Sequence, residues 1–437
     1  MPALKSKPKT KFVQKMPKVQ PPKKRQPLWK GPEDDGPLGG ITQSMLNNFL
    51  SCRERFRVKY VEGMQVVQGF SRVMEYGQIW HCAEEHFAAN KDWQKPLTEY
   101  CQGLCQKYPL AQDEVSKWYN ICLVQFPLYI KWWSDHKDVV ERTPLMQEEV
   151  FHVPYTLPLG RVVYLRGKFD SVDLVGKGKN AGIYLKENKS KGTIDESRMQ
   201  RQLSFDLQTM LYLVALQDGC WAFGLGKKDR TTPIRGVNYN VVRRPLAGGR
   251  GTITQSKGSD GSVCSGCDGK GERMMYAGTK REVFEKPCSK CEGKGRTGYK
   301  PPETDEEFGA RLRGIIEGAV GPEWGMPDGQ HFFFMRWKCE ISPSDIERFK
   351  TRFLNPILEE LCDWYEWVAA AQAHDVSPFD EGARIGWSKG MNAHHYQLPF
   401  GIYSPLAENG FTDVDSYVMD GDEIGLRRVD TLFTELQ

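Results

Sequence analysis

The sequence predicts an α/β fold of the α+β kind: short strands flanked by helices, with a small insert of different character. Three observations predict it. Apolar residues recur at helical spacing in separate windows, short strand-like apolar runs lie between those windows, and residues 248–300 are dense in Gly, Lys, Ser and Cys but nearly free of aliphatic side chains. A stretch of that composition cannot form a hydrophobic core of its own.

Residues 1–40 hold eight prolines, and residues 1–30 hold ten lysines and arginines with no acid. The 437-residue chain has a formal charge of +4, so the remaining 407 residues sum to −6. A strongly basic tail therefore precedes a mildly acidic globule. Residues 1–40 are expected to be disordered, because so little apolar surface cannot offset the entropy of ordering them. The tail reads either as a phosphate-seeking arm for nucleic acid or as a solubilising leader.

Order is expected from Ile41. Thr42 and Ser44 stand where helix caps would be, followed by Met45, Leu46, Phe49 and Phe56 at helical spacing. A second helix is predicted from Gln112 to Trp133, with Val115, Trp118, Tyr119, Cys122, Phe126, Tyr129 and Trp133 as one core-facing stripe. Strands follow at Glu149–Val153, at Val162–Val175 with a turn at Gly167, and at Gly182–Lys186, then a helix over Met199–Leu216. Further strands are read at Ile234–Val242 and Phe332–Cys339. Beyond them, Ser344–Glu347 has the form of a capping box opening a long helix through Ile346, Phe349, Phe353, Leu358, Leu361, Tyr365 and Val368, kinked at Pro356.

Several classes are excluded. No run approaches ~18 consecutive apolar residues, so no membrane span is expected. The lysine-rich start lacks the apolar segment of a secretory signal, which predicts a cytoplasmic address. There the 12 cysteines are expected as thiols or metal ligands rather than disulfides.

The insert carries Cys264-Ser-Gly-Cys267-Asp-Gly-Lys-Gly271 and, 20 residues further on, Cys288-Ser-Lys-Cys291-Glu-Gly-Lys-Gly295. Two Cys-x-x-Cys knuckles offer four thiolates to a tetrahedral Zn²⁺, and that ion would supply the folding energy the insert lacks. The repeated unit resembles the zinc-binding region of DnaJ-type chaperones over about 30 residues, although no His-Pro-Asp tripeptide accompanies it. With four cysteines the zinc is read as structural. The surrounding lysines and arginines suit either nucleic-acid contact or a solvated surface.

Four further pieces belong together. His81 and Glu85 stand four apart on one helical face; Asp170 lies at the turn or end of an apolar strand; Glu187 and Lys189 project to one face of another strand; Gln208 and Tyr212 share a helical face. Burying acids beside one another is costly unless a cation compensates. Asp170 and Glu187 are oxygen donors suited to Mg²⁺ or Mn²⁺, His81 could complete the shell, and Lys189 could orient or deprotonate a water.

In this order the pieces resemble the PD-(D/E)XK nuclease superfamily, in particular its RecB-type exonuclease branch. The matching motifs are Cys52-x-x-x-Phe56, Gly77-x-x-x-His81, Gly167-x-x-Asp170, Glu187-x-Lys189 and Gln208-x-x-x-Tyr212. The resemblance implies a restriction-endonuclease-like mixed central sheet. It also implies a metal held by His81, Asp170, Glu187 and the Asn188 carbonyl, with Lys189 serving the attacking water and Gln208 and Tyr212 positioning the strand. Many members of that branch hold an iron–sulphur cluster on a cysteine like Cys52 and three near the C-terminus. After Cys362 this chain has none, and residues 392–400 offer His394 and His395 instead. The cluster is therefore expected to be lost, with Cys52 a packed remnant; a cluster on Cys52 and three insert cysteines is the alternative.

The domain expectation is a basic tail (1–40), a nuclease core (41–247), a zinc-binding insert (248–300) and a helical C-terminal part of the core (301–437). The functional expectation is a metal-dependent DNA exonuclease of phage type, acting in replication, recombination or repair and partnered by a helicase or recombinase. A structure-specific endonuclease and a non-catalytic DNA-binding or assembly protein are the alternatives.

Overall fold

The computed structural model describes residues 26–67, 70–134, 137–192, 194–204, 206–219, 232–244, 256, 258–277, 282–298, 300–318, 333–373 and 425–436. The basic residues before 26 and the segment with His394 and His395 lie outside them.

A mixed sheet organises the chain. β1 (Ile41–Thr42) runs into α1 (Gln43–Ser51), which Thr42 caps by accepting the Met45 N–H at 3.3 Å. The extended backbone of Cys52 ends α1, and its buried sulphur accepts the Arg55 N–H at 3.4 Å to open α2 (Arg53–Phe56). Cys52 is thus a packed helix cap. A π-helical stretch then leads to β2 (Met64–Val67).

Three helices follow: α3 (Arg72–Asn90), α4 (Gln94–Lys107) and α5 (Gln112–Trp133). Their shared core is aromatic, built on Tyr76, Trp80, Trp118, Phe126 and Tyr129. The predicted stripe of α5 faces inward, with Val115, Trp118, Cys122, Phe126, Tyr129 and Trp133 all buried.

After the short α6 (Lys137–Val140), β3 (Arg142–Thr156) pairs antiparallel with β4 (Val162–Val175) along its length. Gly167 makes no turn; β4 passes straight through it. A Cβ there would stand 2.4 Å from the Phe151 ring and 2.8 Å from the Tyr212 ring, so glycine is required by the rings packed against the strand. β5 (Gly182–Lys191) pairs antiparallel with β4 and parallel with β6 (Ile234–Arg243), and β11 (Phe334–Glu340) closes that edge antiparallel to β6.

The helix predicted over Met199–Leu216 is two helices, α7 (Glu196–Leu203) and α8 (Leu207–Gly219). Asp206 separates them by capping α8: its carboxylate accepts the Thr209 N–H at 3.2 Å and the Thr209 hydroxyl at 3.1 Å. α1, α8 and the C-terminal helices share one core with the sheet, while α3, α4, α5 and α9 (Asp305–Gly318) share a second, joined to the sheet at Val242 and Phe334.

Within the insert, β7 (Ser262–Val263) pairs with β10 (Arg296–Thr297) and β8 (Glu272–Ala277) with β9 (Glu282–Pro287). In the C-terminal part the capping box is Ser342 with Asp345, two residues before the expected position, and opens α10 (Pro343–Phe349). Pro356 stands in the first turn of α11 (Asn355–Ala373), preceded by a π-helical stretch over Lys350–Leu354. The wider winding accommodates the ring that a continuous α-helix would exclude. β12 (Gly425–Arg428) returns to pair with β2.

The expectation of disorder up to residue 40 does not hold for residues 26–40. Trp29 is fully buried, donates its indole N–H to the Gly40 carbonyl at 2.8 Å, and meets Phe56 and Tyr365 edge-on at 5.2 and 4.9 Å. One large aromatic outweighs the polar composition around it. Among the described residues no helix is long and apolar enough to cross a membrane.

Candidate active site at the strand fork

Asp170 sits where the sheet opens. Along one edge of β4, β1 pairs at Leu165 and Arg166 and β5 pairs from Ser171 to Val175, so residues 167–170 have no ladder partner on that side. Beyond Ser171 and Lys186 the two strands part. The Asn188 N–H instead donates to Asp170 Oδ2 at 2.8 Å, which ties β5 to the acid across the fork.

The other expected residues converge on it. α3 passes close to the end of β5, where a Cβ on Gly77 would stand 3.4 Å from Ser190 Oγ. One turn later His81 places Nδ1 3.8 Å from Asp170 Oδ2. Lys189 donates to Glu187 Oε1 at 2.5 Å and to Gln208 Oε1 at 3.0 Å, so α8 holds the lysine against the acid. Tyr212 lies edge-on to Phe151 and Phe169 at 5.2 and 5.6 Å, and its mostly buried ring forms the floor.

Glu148 joins the group and the sequence reading missed it. Gln147 pairs with Ser171 and Glu149 with Phe169, which sets Glu148 opposite Asp170. Its φ is +49°, a left-handed conformation that non-glycine residues adopt only under constraint. Glu148 Oε1 lies 3.9 Å from His81 Nδ1, and its other oxygen binds Lys168 at 2.7 Å. The sequence holds a signal for it. Met146 and Phe151 both belong to the core at an odd spacing, so the alternation of β3 must slip between them. Glu85, expected to share the His81 face, is outside the donor group.

Electrostatics mark this cluster as cation-seeking. Burial and the Asp170 charge push Glu187 up to about 7, against the pull of Lys189. Burial likewise raises Asp170, aided by Glu148 and opposed by His81 and the Asn188 N–H. Burial alone would lower His81, but Asp170, Glu148 and Glu84 together raise it to about 9. Burial opposes the charge on Lys189, and Glu187 more than restores it, so its pKa is raised.

The sequence model of the PD-(D/E)XK nuclease superfamily matches residues 41–340. The chain belongs to this superfamily. Its mixed sheet with flanking helices is the PD-(D/E)XK nuclease fold, a fold that implies DNA as substrate, and nucleases of this superfamily use divalent metals. No curated protein matches the chain.

The donor set fits such a metal. One ligand atom each from His81, Glu148 and Asp170 lies within 4.8 Å of the others, two carboxylates of the hardness that Mg²⁺ or Mn²⁺ prefers and an imidazole, a borderline donor better suited to Mn²⁺ than to Mg²⁺. A second group is formed by the buried Cys264, Cys267, Cys288 and Cys291, and Cys52 is not part of it. The Sγ atoms of Cys264 and Cys288 are 3.9 Å apart and those of Cys267 and Cys291 3.6 Å. Gly271 and Gly295, at φ +77° and +71°, cross each other so closely that a Cβ on either would strike backbone of the other knuckle at about 2.5 Å. Although burial opposes it, backbone N–H groups of Lys290 and Cys291 bring the Cys288 thiol down to about 6. That donor set is suited to Zn²⁺.

Proposed function

We propose that the chain is a metal-dependent DNA exonuclease of the RecB-type branch, hydrolysing phosphodiester bonds at the fork of β4 and β5. The observation that carries the reading is the grouping of His81, Glu148 and Asp170, whose ligand atoms lie within 4.8 Å of one another, beside the Lys189–Glu187 pair of the strand tied to Asp170 by the Asn188 N–H. His81, Glu148, Asp170, Glu187 and the Asn188 carbonyl would hold Mg²⁺ or Mn²⁺. Such a metal, when bound, neutralises charge building on the phosphate and lowers the pKa of a bound water.

The chain's own groups divide the remaining work. Lys189, its pKa raised beside Glu187, stays protonated at neutral pH. It therefore orients the attacking water and stabilises developing negative charge rather than taking a proton. Gln208 fixes the lysine by accepting its hydrogen bond. Tyr212, packed under Gly167, keeps α8 in register with Asp170. The insert, with Cys264, Cys267, Cys288 and Cys291 on a structural Zn²⁺, and the basic tail would supply phosphate affinity that an acidic globule lacks. The role proposed for it is in phage-type replication, recombination or repair, beside a helicase or recombinase.

The test is purified protein with Mg²⁺ or Mn²⁺ on end-labelled linear and covalently closed circular DNA, beside Glu187→Ala and Lys189→Ala. Degradation of linear DNA alone supports the exonuclease. Cutting of closed circles would favour a structure-specific endonuclease, and wild-type activity no greater than the variants' would reject both.

A further inference from the structure

On the face of the sheet that meets α3, a buried polar cluster lies directly behind the fork. Asn188, Asn240 and Arg336 stand side by side across β5, β6 and β11, with Lys186 one pleat away. α3 brings Glu84 onto this row. Glu84 Oε1 accepts from Lys186 Nζ at 3.2 Å, from Asn240 Nδ2 at 3.0 Å and from the Tyr129 hydroxyl. The second Asn240 amide hydrogen reaches Asn188 Oδ1 at 2.8 Å, and Arg336 donates to the Tyr129 oxygen at 3.1 Å. Glu84, Lys186, Asn188 and Asn240 are each less than a tenth exposed.

A helix packed on a sheet needs none of this. A buried ion pair is commonly no more stabilising than apolar side chains of the same volume, and here it sits beside the aromatic core of α3 and α5. What the cluster does join is the two halves of the donor set. Glu84 is three residues from His81 on the same helix. Asn188 lies between Glu187 and Lys189, and its N–H holds Asp170. Asn240, with its two donors aimed at Glu84 and Asn188, is the only bridge between them among the described hydrogen bonds.

We infer that Glu84 and Asn240 are positioning residues: they lock α3 to β5 so that His81, Asp170 and the Asn188 backbone keep the spacing a divalent cation requires. This rests on the metal-dependent nuclease reading and deepens it. Supporting groups behind metal ligands typically change metal affinity by about 10–100-fold when removed.

The experiment measures Mn²⁺ binding to the full chain without DNA, by electron paramagnetic resonance titration, together with thermal midpoints in chelator. The variants are Asn240→Leu and the double variant Glu84→Met/Lys186→Met, with Asp170→Asn as reference. The double variant removes both buried charges together and fills their volume, so its fold is expected to survive. The expected result is Mn²⁺ affinity about 10-fold or more below wild type in both variants, with chelated midpoints equal to or above wild type for the double variant. A folded double variant that binds Mn²⁺ within about twofold of wild type, while Asp170→Asn does not bind, overturns the positioning role and leaves the nuclease reading standing. A double variant that does not fold in chelator also overturns it, by making the cluster purely structural. Wild-type protein that does not bind Mn²⁺ would overturn both.

Discussion

Removing divalent metal should make the stability of the sheet that carries the fork fall as pH rises from 5 to 9. Two groups at the fork drive the fall, with the same sign. Glu187 has its pKa raised from 4.5 to about 7 by burial and by Asp170, so the folded state keeps a proton that the unfolded chain releases. Its contribution is full below 4.5 and is lost by 7. His81, despite its burial, is raised from 6.5 to about 9 by Asp170, Glu148 and Glu84, so its contribution is full below 6.5 and is lost by 9. Each shift corresponds to at most about 3 kcal/mol. The His81 side chain is 30% exposed, and solvent screening cuts its share to about 1–2 kcal/mol. Glu187 shares its site with Asp170, and a similar discount to about 1–2 kcal/mol applies because the proton is distributed over both. A total of about 3 kcal/mol corresponds, for a chain of this size, to a fall in thermal midpoint of roughly 3 °C. Glu148 and Glu84 do not cancel it. Although burial opposes them, their pKa values are lowered by the cations around them, so their contributions are complete above the ordinary carboxylate range. The assay is a set of thermal melts in chelator across this range, repeated on Glu187→Gln, which should lose about half of the slope. Saturating Mn²⁺ at high pH should recover most of the loss, since binding at 100 times the dissociation constant adds about 2.7 kcal/mol. Chelated midpoints that stay level or rise with pH would refute the charge crowding on which the metal assignment depends.

Other perturbations have equally definite outcomes. Gly167→Ala places a methyl 2.4 Å from the Phe151 ring and 2.8 Å from the Tyr212 ring, and should lower stability in urea by about 1–3 kcal/mol. Deleting residues 1–25 should weaken DNA binding most at low salt while leaving the thermal midpoint unchanged, as measured by anisotropy and melting. Extending the deletion to residue 40 removes the buried Trp29 and should cost about 3–5 kcal/mol. If the four cysteines hold zinc as proposed, Cys288→Ser should lower the zinc content found by metal analysis and abolish amide protection over Glu272–Ala277 and Glu282–Pro287, with the thermal midpoint of the sheet unaffected.

The parts of this molecule that were legible in the sequence are those set by local rules. The stripe of α5, the paired cysteine knuckles and the acid-x-lysine strand each follow from side-chain periodicity or ligand spacing, and each lies where that spacing places it. What escaped depends on contacts distant in sequence. Gly167 reads as a turn, because nothing local shows that Phe151 and Tyr212 will close over it. Trp29 reads as part of a proline-rich tail until Phe56 and Tyr365 are brought beside it. The break between α7 and α8 was locally encoded by Asp206 and Thr209, but the apolar run across it concealed the cap.

Glu148 shows how a distant contact can change a chemical argument. Read locally, an acid followed by Glu149 on an outer strand is a solvated surface. The slip in β3 and the pairing of Gln147 with Ser171 set it against Asp170, and the left-handed backbone turns its carboxylate toward His81. The fork then holds two acids on one side of a histidine and a third acid beside a lysine, with His81, Lys168 and Lys189 as the fixed cations that engage them among the described residues. His81 is shared between Asp170 and Glu148, Lys168 is engaged by Glu148 and Lys189 by Glu187, so they hold the acids without discharging the crowding that raises Asp170 and Glu187. A mobile divalent cation can relieve it and a phosphate can then approach. The same acids that give the globule its negative balance are therefore what permits a polyanion to bind there, once the metal is in place.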